Sequence, residues 1–321
     1  MTDVIIPLYK PGKELFELLD RLRKQTVRVR KIILMNTEER YFRELTEGTG
    51  FAERYPEAEV HHLPKSEFDH GGTRRRAVEY SESDTFILMT QDAMPIDTHL
   101  IERLTERLTG SVAVAYGRQL PAPGSRETEK ISRAFNYPEQ SRVKGKADLE
   151  AMGIKAFFCS NVCAAYRRDI YDESGGFVRH TIFNEDMIYA AGVLQAGYEI
   201  AYAADARVIH SHNYTNRQQF RRNFDLGVSQ AMHPEVFGGI ASESEGKKLV
   251  GATWEALKKK GKRRCFPGFL VQCCCKYAGY LLGKHYDRLP ETWVLACTDN
   301  EEFWRNHTES NTPAQAAEHQ A

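Results

Sequence analysis

The sequence predicts an α/β protein with a mostly parallel, doubly wound, Rossmann-like sheet and a helical C-terminal extension. In the first half of the chain, short apolar runs alternate with segments whose apolar residues recur at helical spacing. Residues 85–90 form an uninterrupted apolar and β-branched run, which is typical of a strand covered by helices on both faces. After His212 such runs give way to three segments of helical periodicity.

The first half of the chain has a regular order of predicted elements. The strands are residues 4–8, 31–35, 59–63, 85–90 and 112–119, and the helices between them are residues 13–24, 38–47, 71–80 and 97–108. Asn36 and Thr37 are suitable caps for the second helix, and Asp97 and Thr98 for the fourth. Gly71 opens the third helix.

The second half is less regular. Residues 120–152 are polar and weakly periodic, which predicts a loop-rich region. The predicted elements that follow are a strand at 156–165, a helix at 184–196, strands at 199–203 and 207–209, and helices at 220–232, 245–260 and 269–282. The chain is therefore divided into an α/β domain at 1–212, a helical region at 213–300 and a polar, disordered tail at 301–321.

The composition excludes some classes of function. Lys plus Arg equals Asp plus Glu at 44 each, so the chain lacks the basic excess of a general nucleic-acid binder, and we expect no nucleic-acid partner. The first residues lack the features of a signal peptide, and no apolar run approaches the roughly 20 residues of a membrane span. We expect a cytoplasmic protein that keeps its seven cysteines reduced.

Polar side chains follow several predicted strands at the point where each strand ends. Pro7 and Tyr9 close the first strand, Asn36 follows the second, Asp92 follows the fourth, and Asp186 lies at a helix start. The carboxyl ends of parallel strands meet at one edge of the sheet, where open α/β sheets bind ligands. Taken singly, each residue is equally consistent with an ordinary turn or helix cap.

Five stretches of the chain form a recognisable pattern: 4–9 (VIIPLY), 68–74 (FDHGGTR), 90–95 (TQDAMP), 184–186 (NED) and 276–284 (KYAGYLLGK). Together they resemble the inverting family-two glycosyltransferases with the GT-A fold, most closely the bacterial rhamnosyltransferase branch. The resemblance covers about residues 1–290. It implies a nucleotide-sugar donor and a glycan or lipid-linked acceptor.

The resemblance also implies which residues contact the donor. These are Pro7, Tyr9, Asn36, His70, Gly71, Arg74 and Gln91. The family usually has an acidic residue in the place of Asn36, so the base of the donor stays open. Gly71 would expose backbone N–H groups to anionic oxygens at a helix start. Arg74 would add a charge-assisted contact, the alternative being a solvated helix face.

A divalent metal and a general base are implied in the same way. Asp92 stands where the family's Asp-x-Asp motif ends, with Gln91 in the middle position, so one carboxylate remains for Mg²⁺ or Mn²⁺. His210 or His212 would supply a further ligand, the alternative being ordinary loop histidines. In the family the Asp of a Glu-Asp pair at a helix start is the general base, a role that falls to Asp186; helix capping is the alternative.

The expected function is inverting transfer of L-rhamnose from dTDP-rhamnose in bacterial surface-polysaccharide synthesis. The alternatives are a family-two transferase that uses a UDP-linked hexose and a non-catalytic carbohydrate-binding protein of the same fold. A nucleotidyltransferase would be expected to carry a Gly- and Lys/Arg-rich signature at its N-terminus, and residues 7–9 do not match it.

The C-terminal region carries a separate signal. Residues 258–264 are strongly basic and precede the apolar residues 265–271, which are too few to span a bilayer but suit a helix that lies on an anionic membrane surface. A helix packed on the α/β domain, with a solvated basic turn, explains the same pattern. Peripheral contact with the inner membrane face is therefore an open expectation.

Overall fold

A computed structural model describes residues 2–239 and 243–310 of the 321-residue chain and confirms the α/β class. In these ranges the strands are β1 (Thr2–Tyr9), β2 (Val29–Thr37), β3 (Ala58–Leu63), β4 (Thr85–Met89), β5 (Met94–Pro95), β6 (Val112–Leu120), β7 (Arg142–Lys144), β8 (Cys163–Arg167) and β9 (Glu199–Ile209). The α-helices are α1 (Glu14–Arg23), α2 (Glu39–Thr46), α3 (Phe51–Arg54), α4 (His70–Glu79), α5 (Leu100–Thr105), α6 (Glu127–Asn136), α7 (Leu149–Met152), α8 (Arg168–Glu173), α9 (Glu185–Gln195), α10 (Asn216–Met232), α11 (Pro234–Phe237), α12 (Glu243–Lys259), α13 (Phe266–Lys284), α14 (Glu291–Cys297) and α15 (Glu301–Ser310).

One sheet contains all the strands of the described ranges, in the order β3-β2-β1-β4-β8-β6-β9-β5, with β7 paired to β9. The first four strands in this order are parallel. Beyond them the sheet is mixed, because β8 runs antiparallel to both β4 and β6. The carboxyl ends of β1, β2 and β4 consequently share one edge, as the pattern of strand ends predicts.

Helices cover both faces of this sheet. Successive residues of a strand point to opposite faces, and β1 is apolar on both. Val4 and Ile6 pack with the buried leucines of α1, among them Leu15 and Leu18. Ile5 packs in a second cluster with residues of α4 and α9. The doubly wound arrangement follows from this two-sided burial.

The C-terminal helices form a layer of their own. α10 and α13 approach so closely that a Cβ on Gly279 would lie 2.2 Å from the Phe220 carbonyl oxygen. Phe303 and Trp304 of α15 are buried in a cluster with Phe224 of α10. Within the described ranges, none of the helices combines the length and the apolar character needed to cross a bilayer.

The structure differs from the predicted elements where local periodicity is weak. The segment 120–152 contains α6 and β7. α6 buries only Ile131 among its residues, so it has too few apolar positions to show a helical repeat in the sequence. Of the strand predicted at 156–165, only residues 163–165 are in a strand, where they begin β8. The two closing strands are one, β9.

Two further predictions need correction. Asn36 and Thr37 do not cap α2, because both are buried inside β2 and Glu38 precedes the helix without a side-chain capping bond. Residues 301–310, predicted within a disordered tail, form α15 because Phe303 and Trp304 bury their rings. The rest of the predicted tail, 311–321, lies outside the described residues.

Candidate active site

Gln91 connects the ends of β1 and β4. Its Oε1 accepts the backbone N–H of Tyr9 at 2.9 Å, and its Nε2 donates to the Tyr9 carbonyl at 3.1 Å. Asp92 follows directly, three residues beyond the end of β4. Because Tyr9 engages both ends of the Gln91 amide, Gln91 positions the end of β1 beside Asp92, which differs from the direct donor contact predicted for it.

A cleft of about 210 Å³ opens beside Tyr9; we call it the donor cleft because Tyr9 and His70, two residues predicted to contact the donor, line it. It is lined by aromatic, cationic and acidic side chains: Tyr9, Thr37, Lys65, Phe68, His70, Ile182, Phe183, Arg222, Asp225, Asp299 and Asn300. Pro7 lies two residues before Tyr9 on β1 and so shares its face of the strand. Lys10 lies over the Tyr9 and Tyr41 rings, 5.3 and 5.2 Å from their centroids. Aromatic rings next to cations suit a base and its phosphates.

Asn36 lies under this cleft rather than in its wall. Its side chain is fully buried, and Nδ2 lies 2.9 Å from His62 Nδ1. Its Oδ1 and the neighbouring Thr37 Oγ1 are buried without a hydrogen-bond partner in the described residues. Buried polar atoms are rarely left unpaired. The predicted base contact of Asn36 is therefore confined to Oδ1, an acceptor.

The start of α4 is occupied by a carboxylate of the protein itself. Asp69 Oδ1 accepts the backbone N–H groups of Gly71 and Gly72, each at 2.8 Å, and the Asp69 carboxylate also accepts the N–H of Thr181. The N–H groups predicted to meet a donor phosphate are thus already capped. A Cβ on Gly71 would lie 2.1 Å from the Val178 carbonyl oxygen, so close packing explains this glycine.

Arg74 is directed at Glu185 and not at the donor cleft. Its side chain is buried, Nε lies 3.1 Å from Glu185 Oε1, and one terminal nitrogen donates to the His70 carbonyl at 2.9 Å. Arg74 thus forms an ion pair inside the protein, and its donor contact stays a prediction. His70 does line the donor cleft, and burial lowers the pKa of its imidazole to about 4, which keeps the ring neutral.

Asp186 and Glu185 begin α9, next to each other but in different environments. Asn184, with a left-handed backbone at φ 64°, turns the chain into this helix. Asp186 accepts the backbone N–H of Asn161 at 3.1 Å, and burial, reinforced by the charge of Glu185, raises the pKa of Asp186 to about 7. Burial also acts to raise the pKa of Glu185, but the positive charge of Arg74, together with His70 and the hydrogen bond from Asn161, outweighs it and the net shift is downward. Such a separation is characteristic of acid-base sites.

Three potential metal ligands converge on the other side of the site. One ligand atom from each of Asp92, His210 and His212 lies within 4.8 Å of the other two. Asp92 Oδ2 is 3.1 Å from His212 Nε2 and 3.5 Å from His210 Nε2. The structure therefore brings both predicted histidines, and not one of them, to Asp92. Burial acts to raise the pKa of Asp92, but the hydrogen bond from His212 and the neighbouring His210 lower it overall.

Gln119, which the sequence did not single out, connects the cluster of Asp92, His210 and His212 to the segment that contacts Asp186. Its Oε1 lies 2.9 Å from His210 Nδ1, and its Nε2 donates to Ser160 Oγ at 2.9 Å. Ser160 precedes Asn161, the residue that donates to Asp186. Two features of the sequence could have pointed to Gln119: it is a polar residue near the end of an apolar strand, and a polar pair lies at 160–161. An outer partner of this kind orients a ligating imidazole.

Arg222 lies between two clefts. It lines the donor cleft and also a second cleft of about 270 Å³, whose lining includes His212, Tyr214 and Lys276. Its guanidinium is 4.7 Å from the centroid of the Phe183 ring and 5.8 Å from that of Tyr214. These rings hold a cation between the loop that leads into α9 and the loop that carries the two histidines.

Sequence comparisons agree on one family. The family model described as "Glycosyl transferase family 2" matches residues 3–175. The chain is 37% identical to "O-antigen chain rhamnosyltransferase RfbN" of Salmonella typhimurium (strain LT2) over 94% of its length and 96% of that protein. It is also 37% identical to "O-antigen chain rhamnosyltransferase WbaN" of Salmonella anatum, over 94% and 95% of the two chains.

Solved structures share the fold at low sequence identity. A mannosyltransferase from Pyrobaculum calidifontis, solved with GDP-Man and Mn²⁺, aligns with a TM-score of 0.52 at 15% identity over 98% of this chain and 82% of that one. TarS residues 1–349 of S. aureus, solved with UDP-GlcNAc, align with a TM-score of 0.50 at 13% identity, over 97% and 93%. These likenesses confirm the GT-A fold. The chain belongs to glycosyl transferase family 2 and is a glycosyltransferase.

Proposed function

We propose that this protein transfers L-rhamnose from dTDP-rhamnose, with inversion, onto a glycan or lipid-linked acceptor in bacterial surface-polysaccharide synthesis. The observation that carries the proposal is the buried link from the Asp92, His210 and His212 cluster through Gln119 to the segment that holds Asp186. The sugar and the pathway rest on the names of two relatives that are 37% identical over nearly the whole chain.

Asp186 is the proposed general base. It would accept the proton of the acceptor hydroxyl as that oxygen attacks the anomeric carbon, while the bond to the diphosphate breaks on the opposite face. A carboxyl group whose pKa is raised towards neutrality is still present as the carboxylate at neutral pH and is basic enough to take the proton. Glu185, held as a carboxylate by Arg74, raises that basicity.

Asp92, His210 and His212 are the proposed metal ligands. One carboxylate oxygen and two imidazole nitrogens form a donor set suited to a divalent ion, and the contact between Gln119 and His210 supplies the outer-shell support such sites have. When bound, Mn²⁺ or Mg²⁺ would neutralise charge on the diphosphate of the leaving nucleotide. Two nitrogen ligands favour Mn²⁺, because Mg²⁺ prefers oxygen ligands and water.

Arg222 is the proposed cation for the remaining diphosphate charge. It borders the donor cleft and the second cleft, which in our proposal receives the acceptor. A guanidinium between the two rings Phe183 and Tyr214 is already ordered before the ligand binds. Tyr9 would hold the nucleoside in the donor cleft, and a contact from Asn36 Oδ1 to the base would require the cleft to widen, because that atom is buried. A lipid-linked acceptor would place the reaction at the cytoplasmic face of the inner membrane.

The test is a thermal-shift panel of dTDP-rhamnose, UDP-hexoses and GDP-mannose, each with and without Mn²⁺ or Mg²⁺, followed by a sugar-transfer assay. A ligand that binds only the folded state raises the Tm, by an amount that grows with its concentration over Kd. We expect dTDP-rhamnose to raise the Tm most, and more so with metal.

Two variants separate binding from chemistry. Asp92→Asn should abolish the metal-dependent part of the shift, since Asp92 is the one carboxylate of the cluster. Asp186→Asn should keep the donor shift and lose transfer. If only a UDP-hexose raises the Tm, the donor is that UDP-hexose and not dTDP-rhamnose. A donor shift with full transfer by Asp186→Asn would remove the proposed base, and no response to any nucleotide or metal would favour the non-catalytic alternative.

A further inference from the structure

Helix α13 is apolar on two opposite faces. One face packs on α10, where Gly279 and Gly283 allow backbone contact: a Cβ on Gly283 would lie 2.0 Å from the Phe224 carbonyl oxygen. Tyr280 is buried on the same side, and its hydroxyl donates to Gln230 at 2.9 Å. A helix that is hydrophobic all round normally lies in a protein core or in lipid. α13 has only one of its faces in the core.

The opposite face of α13 is exposed along most of the helix. It presents large apolar residues at helical spacing: Leu270, Val271, Tyr277 and Leu282. Val271 and Tyr277 are each 52% exposed, and Cys274 between them is exposed as well. From Leu270 to Leu282 the face extends about 18 Å at 1.5 Å per residue. A continuous apolar stripe of this kind on a protein surface marks an interaction site.

Positive charge surrounds the exposed face at the start of α13. Residues 258–264 contain six Lys or Arg, all exposed, and a single helical turn at residues 263–265 leads directly into the helix. Lys260 and Lys262 pair with Glu127 at 3.2 and 3.1 Å. The ion pairs within the described ranges include none for Arg263 or Arg264. The two arginines next to the apolar stripe are therefore available to an anionic partner.

The charge at the other end of α13 helps to decide which partner the exposed face binds. Asp287 and Arg288, both exposed, follow the helix, so this end offers no net negative charge to complement the basic residues 258–264. A second copy of the chain, paired through this face in either direction, would place the basic residues 258–264 against a surface that offers them no net negative charge. An anionic bilayer complements the whole surface. Basic residues contact the headgroups while apolar side chains enter the acyl boundary.

We propose that the exposed face of α13, together with the basic residues 258–264, docks the enzyme on an anionic lipid bilayer with the helix parallel to the membrane plane. The location also serves the lipid-linked acceptor, and to that extent it rests on the proposed function. Lys276 lines the second cleft beside His212, and Tyr277, the next residue, belongs to the docking face. The cleft therefore opens next to the membrane.

The experiment is vesicle flotation of the full chain with phosphatidylglycerol-rich vesicles and with pure phosphatidylcholine vesicles. Val271→Glu tests the apolar face. Its matched control is Val143→Glu, because Val143 is 49% exposed and lies on β7, away from α13. Arg263→Ser/Arg264→Ser tests the charge. We expect the wild type and Val143→Glu to float with the anionic vesicles, and binding to weaken as salt is added.

Val271→Glu should weaken binding at least about tenfold, since a valine that enters the acyl boundary in the bound state is exchanged for a charge. Loss of two arginines should weaken it on the order of 30-fold, or about fivefold for each cation near the surface. Equal binding by all variants, or none by the wild type, would overturn the proposal. So would conversion of a wild-type dimer to a monomer by Val271→Glu, measured by light scattering. Donor-induced thermal shifts without vesicles test the proposed function separately.

Discussion

Adjacent carboxylates at the start of α9 differ in pKa because their partners differ. Glu185 contacts the cation Arg74 and accepts from Asn161 Nδ2, whereas Asp186, within the described part of the chain, accepts only backbone N–H groups, from Asn161 and Met187. Backbone donors neutralise less charge than a guanidinium. Burial therefore dominates at Asp186 and raises its pKa. The pair is divided into a fixed anion, Glu185, and a carboxyl group of raised pKa, Asp186.

This division predicts the pH profile of sugar transfer. The proposed base, Asp186, must be deprotonated to react. The value of kcat/KM should therefore fall about tenfold per pH unit below the Asp186 pKa of about 7. Glu185→Gln removes the negative charge next to Asp186 and should move this acidic limb to lower pH, while the glutamine retains the bond from Asn161. The measurement is transfer rate against pH for both proteins. An unchanged limb in Glu185→Gln would show that Asp186 does not titrate in the reaction.

At the scale of elements, glycines determine how α10 and α13 meet. Gly227, Gly279 and Gly283 each face a backbone carbonyl at a distance where a Cβ cannot fit. The short separation between the helices depends on these three positions. It also determines where α13 presents its exposed face and where Lys276 enters the second cleft.

Gly283→Ala should consequently destabilise the protein by about 1–3 kcal/mol, as for other overpacked positions. Gly268 lies in the same helix, and a Cβ at that position would have no other atom within 4 Å, so Gly268→Ala should be neutral or stabilise by up to about 1 kcal/mol. Urea unfolding of both variants measures the difference. Similar stabilities for the two would mean that the helices separate at little free-energy cost.

At the scale of the whole molecule, α15 anchors a segment that lines the donor cleft. Asp299 and Asn300 line that cleft, and they precede α15, whose Phe303 is 1% exposed. Asp225 of α10 accepts from Thr298 Oγ1 at 2.6 Å and from the Asp299 N–H at 3.0 Å. The sheet edge, α10 and the C-terminal helices therefore all contribute to one site.

Phe303→Ala should reduce stability by about 3–5 kcal/mol, the usual range for a buried phenylalanine. It should also raise the KM for the donor, because the 299–300 segment loses its anchor. Trp293→Ala is the control: this ring is 62% exposed, so both effects should be small. Melting curves and donor titrations of transfer rate measure the two quantities. A donor KM unaffected in Phe303→Ala would show that the cleft does not depend on α15.

The identity and order of most strands and helices could be predicted from the sequence, because burial of one face leaves a period in the chain itself. β1, β4 and α9 are examples, and the motifs around His70 and Asp92 directed attention to the sheet edge beside which the donor cleft opens. The prediction failed where few residues are buried, as in α6, or where burial depends on a remote partner, as in α15.

The partners of each polar side chain depended on the tertiary structure. Gln91 meets Tyr9 across 82 residues, and His210 meets Gln119 across 91, separations at which no local pattern records a contact. Gly71 and Arg74 matched a donor-binding motif, yet the Gly71 N–H donates to Asp69 and the Arg74 guanidinium forms an ion pair with Glu185. Residue type states what a side chain is able to bind. Strand order and helix packing decide which partner is within reach.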